Sequence, residues 1–180
     1  MKKKIRFSAA LAAVAVLAAA CAPLASYKLG STLAEADRDV YLAPILNESD
    51  QAQAARELRR ALEREIRREG TLRIVPIEEA ATRLDVVVTG YEQDSIAYSS
   101  TDTDRPTQYR MALSARVSFR RLPRPGAGTT NEVPIYVTPR ITGTENFSGG
   151  SDSVAAKLSC LPKAAKNLSE SIVENCANAW

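Results

Sequence analysis

Histidine is missing from this 180-residue chain, and cysteine, tryptophan and long apolar runs are scarce. Without imidazole there is no histidine general base, no Ser-His-Asp or Cys-His pair and no ordinary zinc site. The three cysteines, Cys21, Cys160 and Cys176, are spaced too widely for a metal-ligand motif. No glycine-rich phosphate loop and no paired-acid motif is present. The expectation is therefore a binding protein and not an enzyme, with no cofactor and no metal. Carboxylate hydrolysis, the one lone-acid chemistry left open, has no motif to support it.

What is present starts at the first residues. Lys2, Lys3, Lys4 and Arg6 are followed by an uncharged run from Ala9 to Ala20 that ends in Ala18-Ala19-Ala20-Cys21. The run is shorter than the roughly 20 residues a membrane-spanning helix needs. A basic start, a short apolar stretch and small residues before a cut describe a secretory signal peptide over residues 1–20. Cys21 would then be the new N-terminus and the site of lipidation, followed by a tether over 21–36. The alternative is an ordinary cut that leaves Cys21 a plain thiol, since Leu17 stands four residues before the cysteine and Ala18 holds the third place.

The leader also accounts for the basic charge. The whole chain has 24 basic and 21 acidic residues, net +3. Four of the basic residues and none of the acidic ones lie in the leader, leaving 20 against 21. No nucleic-acid partner is expected of so neutral a remainder. Residues 37–180 are of a size for one domain.

Within that domain, Val40 to Ile45 reads as a strand, with Pro44 marking an edge or an end. Asp50 and Gln53 resemble a capping box for a helix over 51–69. Ala55, Leu58, Leu62 and Ile66 make its apolar stripe, and Gly70 suits its left-handed C-terminus. Six arginines interleave with Glu57, Glu63, Glu65 and Glu69, as on a solvated face with pairs such as Glu63–Arg67. Strands follow over 72–77 and from Leu84 to Tyr91, the latter able to run on to Tyr98, with a short helical turn over 78–83 between them.

A polar turn over 99–106 leads to a long strand over 109–122, with Met111, Leu113, Ala115, Val117 and Phe119 on one side. After a loop over 123–131, the segment 133–147 is extended, and Pro134 and Pro139 make it irregular or an edge. Val154, Leu158, Leu161, Ala165, Leu168, Ile172 and Cys176 stripe a helix over 151–180, where Pro162 predicts a kink or break. Cys160 falls off that stripe. Sixteen residues of helix would hold Cys160 and Cys176 about 24 Å apart, far beyond disulfide reach. The fold class expected is α+β: a two-layer sandwich with a mixed or antiparallel sheet of about four strands and two long helices.

In their order and spacing these segments resemble the LPS-assembly lipoprotein LptE family. The resemblance rests on Cys21, Tyr27-Lys28-Leu29-Gly30, the strand Val40 to Asn47, and the helix ending Arg67-Arg68-Glu69-Gly70. Leu84-Asp85-Val86-Val87-Val88-Thr89-Gly90, Arg105-Pro106-Thr107-Gln108-Tyr109-Arg110 and the last helix near Trp180 complete it. The family often has Cys-Gly-Tyr contiguous, whereas Ala22 to Ser26 intervene here. The resemblance implies a lipid-anchored protein at the periplasmic face of the outer membrane. It implies binding to the LPS-assembly barrel LptD, plugging of that barrel and assistance to lipopolysaccharide on its way to the cell surface. A site for lipopolysaccharide should pair cations with apolar surface. Arg105 and Arg110, beside Tyr98 and Tyr109, are the candidates. The other class kept open is a lipoprotein that activates a cell-wall synthase or pilots a secretin.

Overall fold

The computed structural model describes residues 33–100, 106–123, 131–148 and 153–179. The leader, Cys21, most of the tether and Arg105 lie outside these. After a 3-10 turn at Glu35–Asp37 come strand β1 (Asp39–Leu42), strand β2 (Leu46–Asn47) and helix α1 (Ala54–Glu69). Strands β3 (Arg73–Ile74), β4 (Thr82–Tyr98), β5 (Pro106–Arg121) and β6 (Val133–Ser148) follow, and helix α2 (Ser153–Ala177) closes the order.

The strands form one mixed, open sheet in the order β3-β1-β4-β5-β6, with β2 pairing β4. β1 is parallel to β3 and β4, β2 is parallel to β4, and β4, β5 and β6 are antiparallel neighbours. Six strands replace the expected four or so. The additional strands are β2, of two residues, and β6, the segment expected only to be extended. A strand as short as β2 displays no alternation. The strand expected over 72–77 shrinks to Arg73–Ile74 because Pro76 has no N–H to continue the ladder, although Val75 still donates to the Val40 carbonyl at 3.1 Å.

Both helices lie on one face. Val40 and Leu42 of β1, Leu84, Val86 and Val88 of β4, and Leu113, Ala115, Val117 and Phe119 of β5 all point into the same core. From the helices, Leu58, Leu62 and Ile66 of α1 and Leu168, Ile172 and Val173 of α2 meet them there. The alternation read in the sequence is thus the core face of the two central strands. β6 is the outer strand, as Pro134 and Pro139 suggested; it runs over sixteen residues, and its register against β5 shifts between Thr138 and Ile141 and again between Pro134 and Tyr136, beside the two prolines.

Local chemistry sets the helix ends. α1 starts at Ala54 and its N-cap, Gln53, makes no side-chain cap bond, so the Asp50 capping box does not form. Asn47 organises the approach instead: its Oδ1 accepts from the Ser49 N–H at 3.1 Å, and its Nδ2 donates to the Gln51 carbonyl at 2.9 Å. At the other end Gly70 has φ of 80° and donates to the Ile66 carbonyl at 3.1 Å, the left-handed closure expected. Glu63 pairs with Arg59 at 3.0 Å and not with Arg67.

α2 runs unbroken through Pro162. Proline removes one i→i−4 bond, here to the Leu158 carbonyl. That carbonyl belongs to an exposed turn where water can take the place of the lost donor. Leu158 itself, expected on the stripe, is 55% exposed, whereas Cys160, expected off it, is buried. The reason is a second small cluster at this end of the helix. Met111, Cys160, Leu161 and Ala164 pack together with Tyr91 and Phe147, and Leu158 projects beyond it.

Cys160 and Cys176 are both free and buried, as the helical spacing required. Burial pushes both thiols up, Cys176 from an ordinary 9.0 to about 12. Below pH 9 the thiol of Cys176 is protonated in the folded and unfolded states alike, so it does not alter stability. Between pH 9 and 12 only the unfolded state releases the proton, so stability falls as pH rises. We expect Cys176 to resist a thiolate-seeking reagent at pH 8 in the native protein and to react once denatured. Mass-spectrometric mapping of labelled peptides checks this; rapid native labelling of Cys176 would contradict its burial.

Candidate functional site

Because the helices share one face, the other face of the sheet is left uncovered by the described residues. Strand alternation sends Arg83 and Asp85 of β4 there, and Arg110, Arg116, Ser118 and Arg120 of β5 with them. A register shift between Val88 and Gly90 resets the phase, so Tyr91 stays with the core while Glu92 and Asp94 turn to the open face. β6 adds Thr142 and Asn146, the Cα partners of Ser114 and Arg110.

This face is mostly polar, with Leu46 and Val137 as its exposed apolar side chains, and its charges are interleaved. Arg83 donates from Nη2 to Asp85 at 2.8 Å, with their neighbours Arg116 and Glu48 paired at 3.3 Å. Arg120 donates to the Ser118 hydroxyl at 2.7 Å and reaches Glu132 at 3.5 Å. Arg140 joins Glu92 at 3.3 Å, two strands away. The Arg83 guanidinium is held above its ordinary value chiefly by its hydrogen bond to Asp85. Most of these pairs are open to solvent, and each is worth only about 0–1 kcal/mol. Their role is to make a charged, self-compensated surface.

Arg110 differs from the other arginines of this face. It is exposed, its Cα partners are Asp94 and Asn146, and among the described residues it forms no ion pair. Tyr109 turns to the opposite face, where it stacks on Phe147 with ring centroids 5.4 Å apart. Tyr98, paired in register with Pro106, is 54% exposed. The structure thus places Arg110 on the uncovered face near the far end of the hairpin, but does not set Tyr109 beside it. Arg105 and Cys21 lie outside the described residues.

At the opposite end of the sheet is a contact that sequence reasoning missed. Arg121, the last residue of β5, grips Asp37 with two hydrogen bonds, Nε to Oδ1 at 2.9 Å and Nη2 to Oδ2. The Asp37 side chain is almost fully buried, and the bond raises the Arg121 guanidinium above its ordinary value. The pair fastens the segment just before β1 to the sheet. The partners are 84 positions apart, so no local pattern announces them.

No described helix is long and apolar enough to cross a membrane. A family model described as LptE, lipopolysaccharide-assembly, matches residues 38–174. No curated protein sequence matches the chain. Among solved structures it is similar to a hypothetical protein of Chlamydia trachomatis, with 11% identity and a TM-score of 0.55, covering 78% of this chain and 95% of that one. A Xanthomonas campestris protein is similar at 11% identity and a TM-score of 0.50, covering 76% of this chain and 82% of that one. At such identities these structures show the fold alone.

Proposed function

Because the chain belongs to the lipopolysaccharide-assembly family LptE, we propose that it is an outer-membrane lipoprotein that binds and plugs the barrel LptD and assists lipopolysaccharide insertion. The observation that carries the reading is the uncovered sheet face. A largely antiparallel sheet packed by helices on one face can leave its other face to a polar surrounding. Here the naked face carries arginines paired with carboxylates, suited to a polar surface and not to a hydrocarbon one. The lumen of a large outer-membrane barrel is polar and can be filled by a plug.

Anchoring completes the proposal. Residues 1–20 are the leader, Cys21 takes the acyl chains, and the tether up to residue 36 joins it to the domain. Two or three chains hold a protein stably at a membrane, whereas one binds only marginally. The task is binding, so no residue has a catalytic role.

Arg110 and Arg105 are the proposed contacts for lipopolysaccharide phosphates. Arg110 is free to form a charge-assisted hydrogen bond, which the paired arginines of this face can form only by giving up a partner. Capture of the anchored protein from outer membranes should bring down LptD, and lipopolysaccharide with it. Arg105→Glu and Arg110→Glu together should reduce the bound lipopolysaccharide roughly tenfold, the effect of one or two such bonds. Recovery of a cell-wall synthase or a secretin in place of the barrel would overturn the assignment. Unchanged lipopolysaccharide in the double variant would remove the two arginines from it.

A further inference from the structure

The long outer edges of this sheet are protected very unequally. β6 carries Pro134 and Pro139, which have no N–H to offer a neighbour. Further along, Asn167 of α2 donates from Nδ2 to the Thr144 carbonyl at 2.7 Å, covering an outward-facing acceptor. Proline and a side-chain cap thus blunt β6 at both ends.

β4 has no such protection beyond its first half. β1 pairs with Thr82 to Leu84 and β2 with Val87 and Val88, where the Glu48 N–H reaches the Val88 carbonyl at 2.8 Å. From Gly90 to Tyr98 the side of β4 away from β5 has no strand beside it among the described residues. Glu92 to Ile96 are five consecutive exposed residues, and the stretch Gly90–Tyr98 contains neither proline nor lysine.

Strand geometry fixes which groups are unfilled. Residues opposite one another alternate between bonded and non-bonded pairs, and N–H and C=O of one residue point the same way. The Val88 carbonyl points toward β2, so Ala115 opposite it makes no bond to β4, and its neighbour Ser114 bonds Gly90. Continuing the alternation turns the N–H and C=O of Tyr91, Gln93 and Ser95 outward. The same phase carried across β5 turns the Thr144 carbonyl outward on β6, where Asn167 meets it.

Charge selects the kind of strand that could pair there. Glu92 and Asp94 are the only ionised side chains between Gly90 and Tyr98. Asp94 has no ion pair among the described residues, and Glu92 holds only the exposed contact to Arg140. Two copies of this edge laid together would place acid near acid, which is unfavourable. A strand with Lys or Arg at alternate positions would place cations beside both carboxylates.

We propose that the free edge of β4, Tyr91 to Ser95, receives an extended segment of the barrel partner, basic at alternate positions, as an added strand. This rests on the barrel reading above and specifies how the two chains join: main-chain bonds supply the affinity and the two carboxylates set the register.

The test uses the full-length lipoprotein in outer membranes. Gln93→Pro removes an outward N–H without touching the β4–β5 ladder, and Glu92→Lys with Asp94→Lys reverses the edge charge. Captured LptD is measured by mass spectrometry, and amide exchange is followed in the free protein and in the complex. Each variant should lower captured barrel roughly tenfold, and the amides of Tyr91, Gln93 and Ser95 should be slowed only in the complex. Undiminished capture by both variants, with those amides still exchanging freely in the wild-type complex, would overturn the edge while leaving the barrel reading intact. No LptD with the wild type would sink the barrel reading and this one together. Amides already protected in the free protein would show that the chain covers its own edge, which also overturns the proposal. Should a variant fail to fold, the exchange measurement on the wild-type complex decides alone.

Discussion

Gly143→Val is expected to lift α2 from the sheet and to destabilise the domain by about 3 kcal/mol or more, at the upper end of overpacking effects. A Cβ at Gly143 would meet the Leu168 backbone nitrogen inside van der Waals contact, with the Leu168 Cβ at 2.5 Å and the Ala164 carbonyl oxygen at 2.6 Å. Two of these three atoms are helix backbone, so no side-chain rotation relieves the clash. β6 would have to bend or α2 would have to move outward, opening the core at Leu168. Gly90→Ala is the matched control. Its nearest contact would be the Ser114 Cβ at 3.8 Å, and the change should fall within about 1 kcal/mol. Urea unfolding of both variants measures the difference. Equal stability would show that α2 does not sit against β6 as described.

Phe119→Ala should cost about 3–5 kcal/mol, the range for deleting a large buried aromatic side chain. Phe119 is fully buried, and its Cα partners in the sheet are Leu84 on β4 and Tyr136 on β6. Truncation leaves a void in the core between sheet and helices that the β-ladder on either side keeps from collapsing. Domains of this size are stable by only about 5–15 kcal/mol, so the variant should melt well below the wild type and be lost from cells by degradation. Its uncovered face is built from other side chains, and whatever fraction folds should still present Arg110. A loss under about 1 kcal/mol would place Phe119 outside the core.

Much of the scaffold behind these expectations was legible in the chain. The five apolar positions from Met111 to Phe119 gave the core face of β5 because a strand's side chains alternate strictly. Leu58, Leu62 and Ile66 gave the inner stripe of α1 for the equivalent helical reason, and Gly70 marked its end because a left-handed residue was needed there. The strand over 72–77 was legible but not its shortening to two residues, and β2 was not legible, since pairing with β4 makes it a strand and its own composition does not. The exposure of Leu158 and burial of Cys160 were also beyond a helical wheel, because they depend on where Met111 and Phe147 lie beneath α2.

The candidate surface divides in the same way. Arg110 was singled out by residue type and turn position, but that it has no ion pair among the described residues, unlike Arg83, Arg116, Arg120 and Arg140, depends on where carboxylates fall on neighbouring strands. Asp37 and Arg121 meet only because β5 ends where β1 begins.

The sequence by itself determined the alternations, the helix stripes, the near-neutral charge of residues 21–180 and the lack of imidazole side chains, since each is a property of residue type and local spacing. Only the tertiary structure decided that both helices cover the same face, leaving the other polar and bare, and that β4 outruns its short neighbours while β6 is capped. Those outcomes depend on pairing between residues far apart in the chain. The physical reason is that a strand's edge and a sheet's second face acquire their character from what fails to cover them.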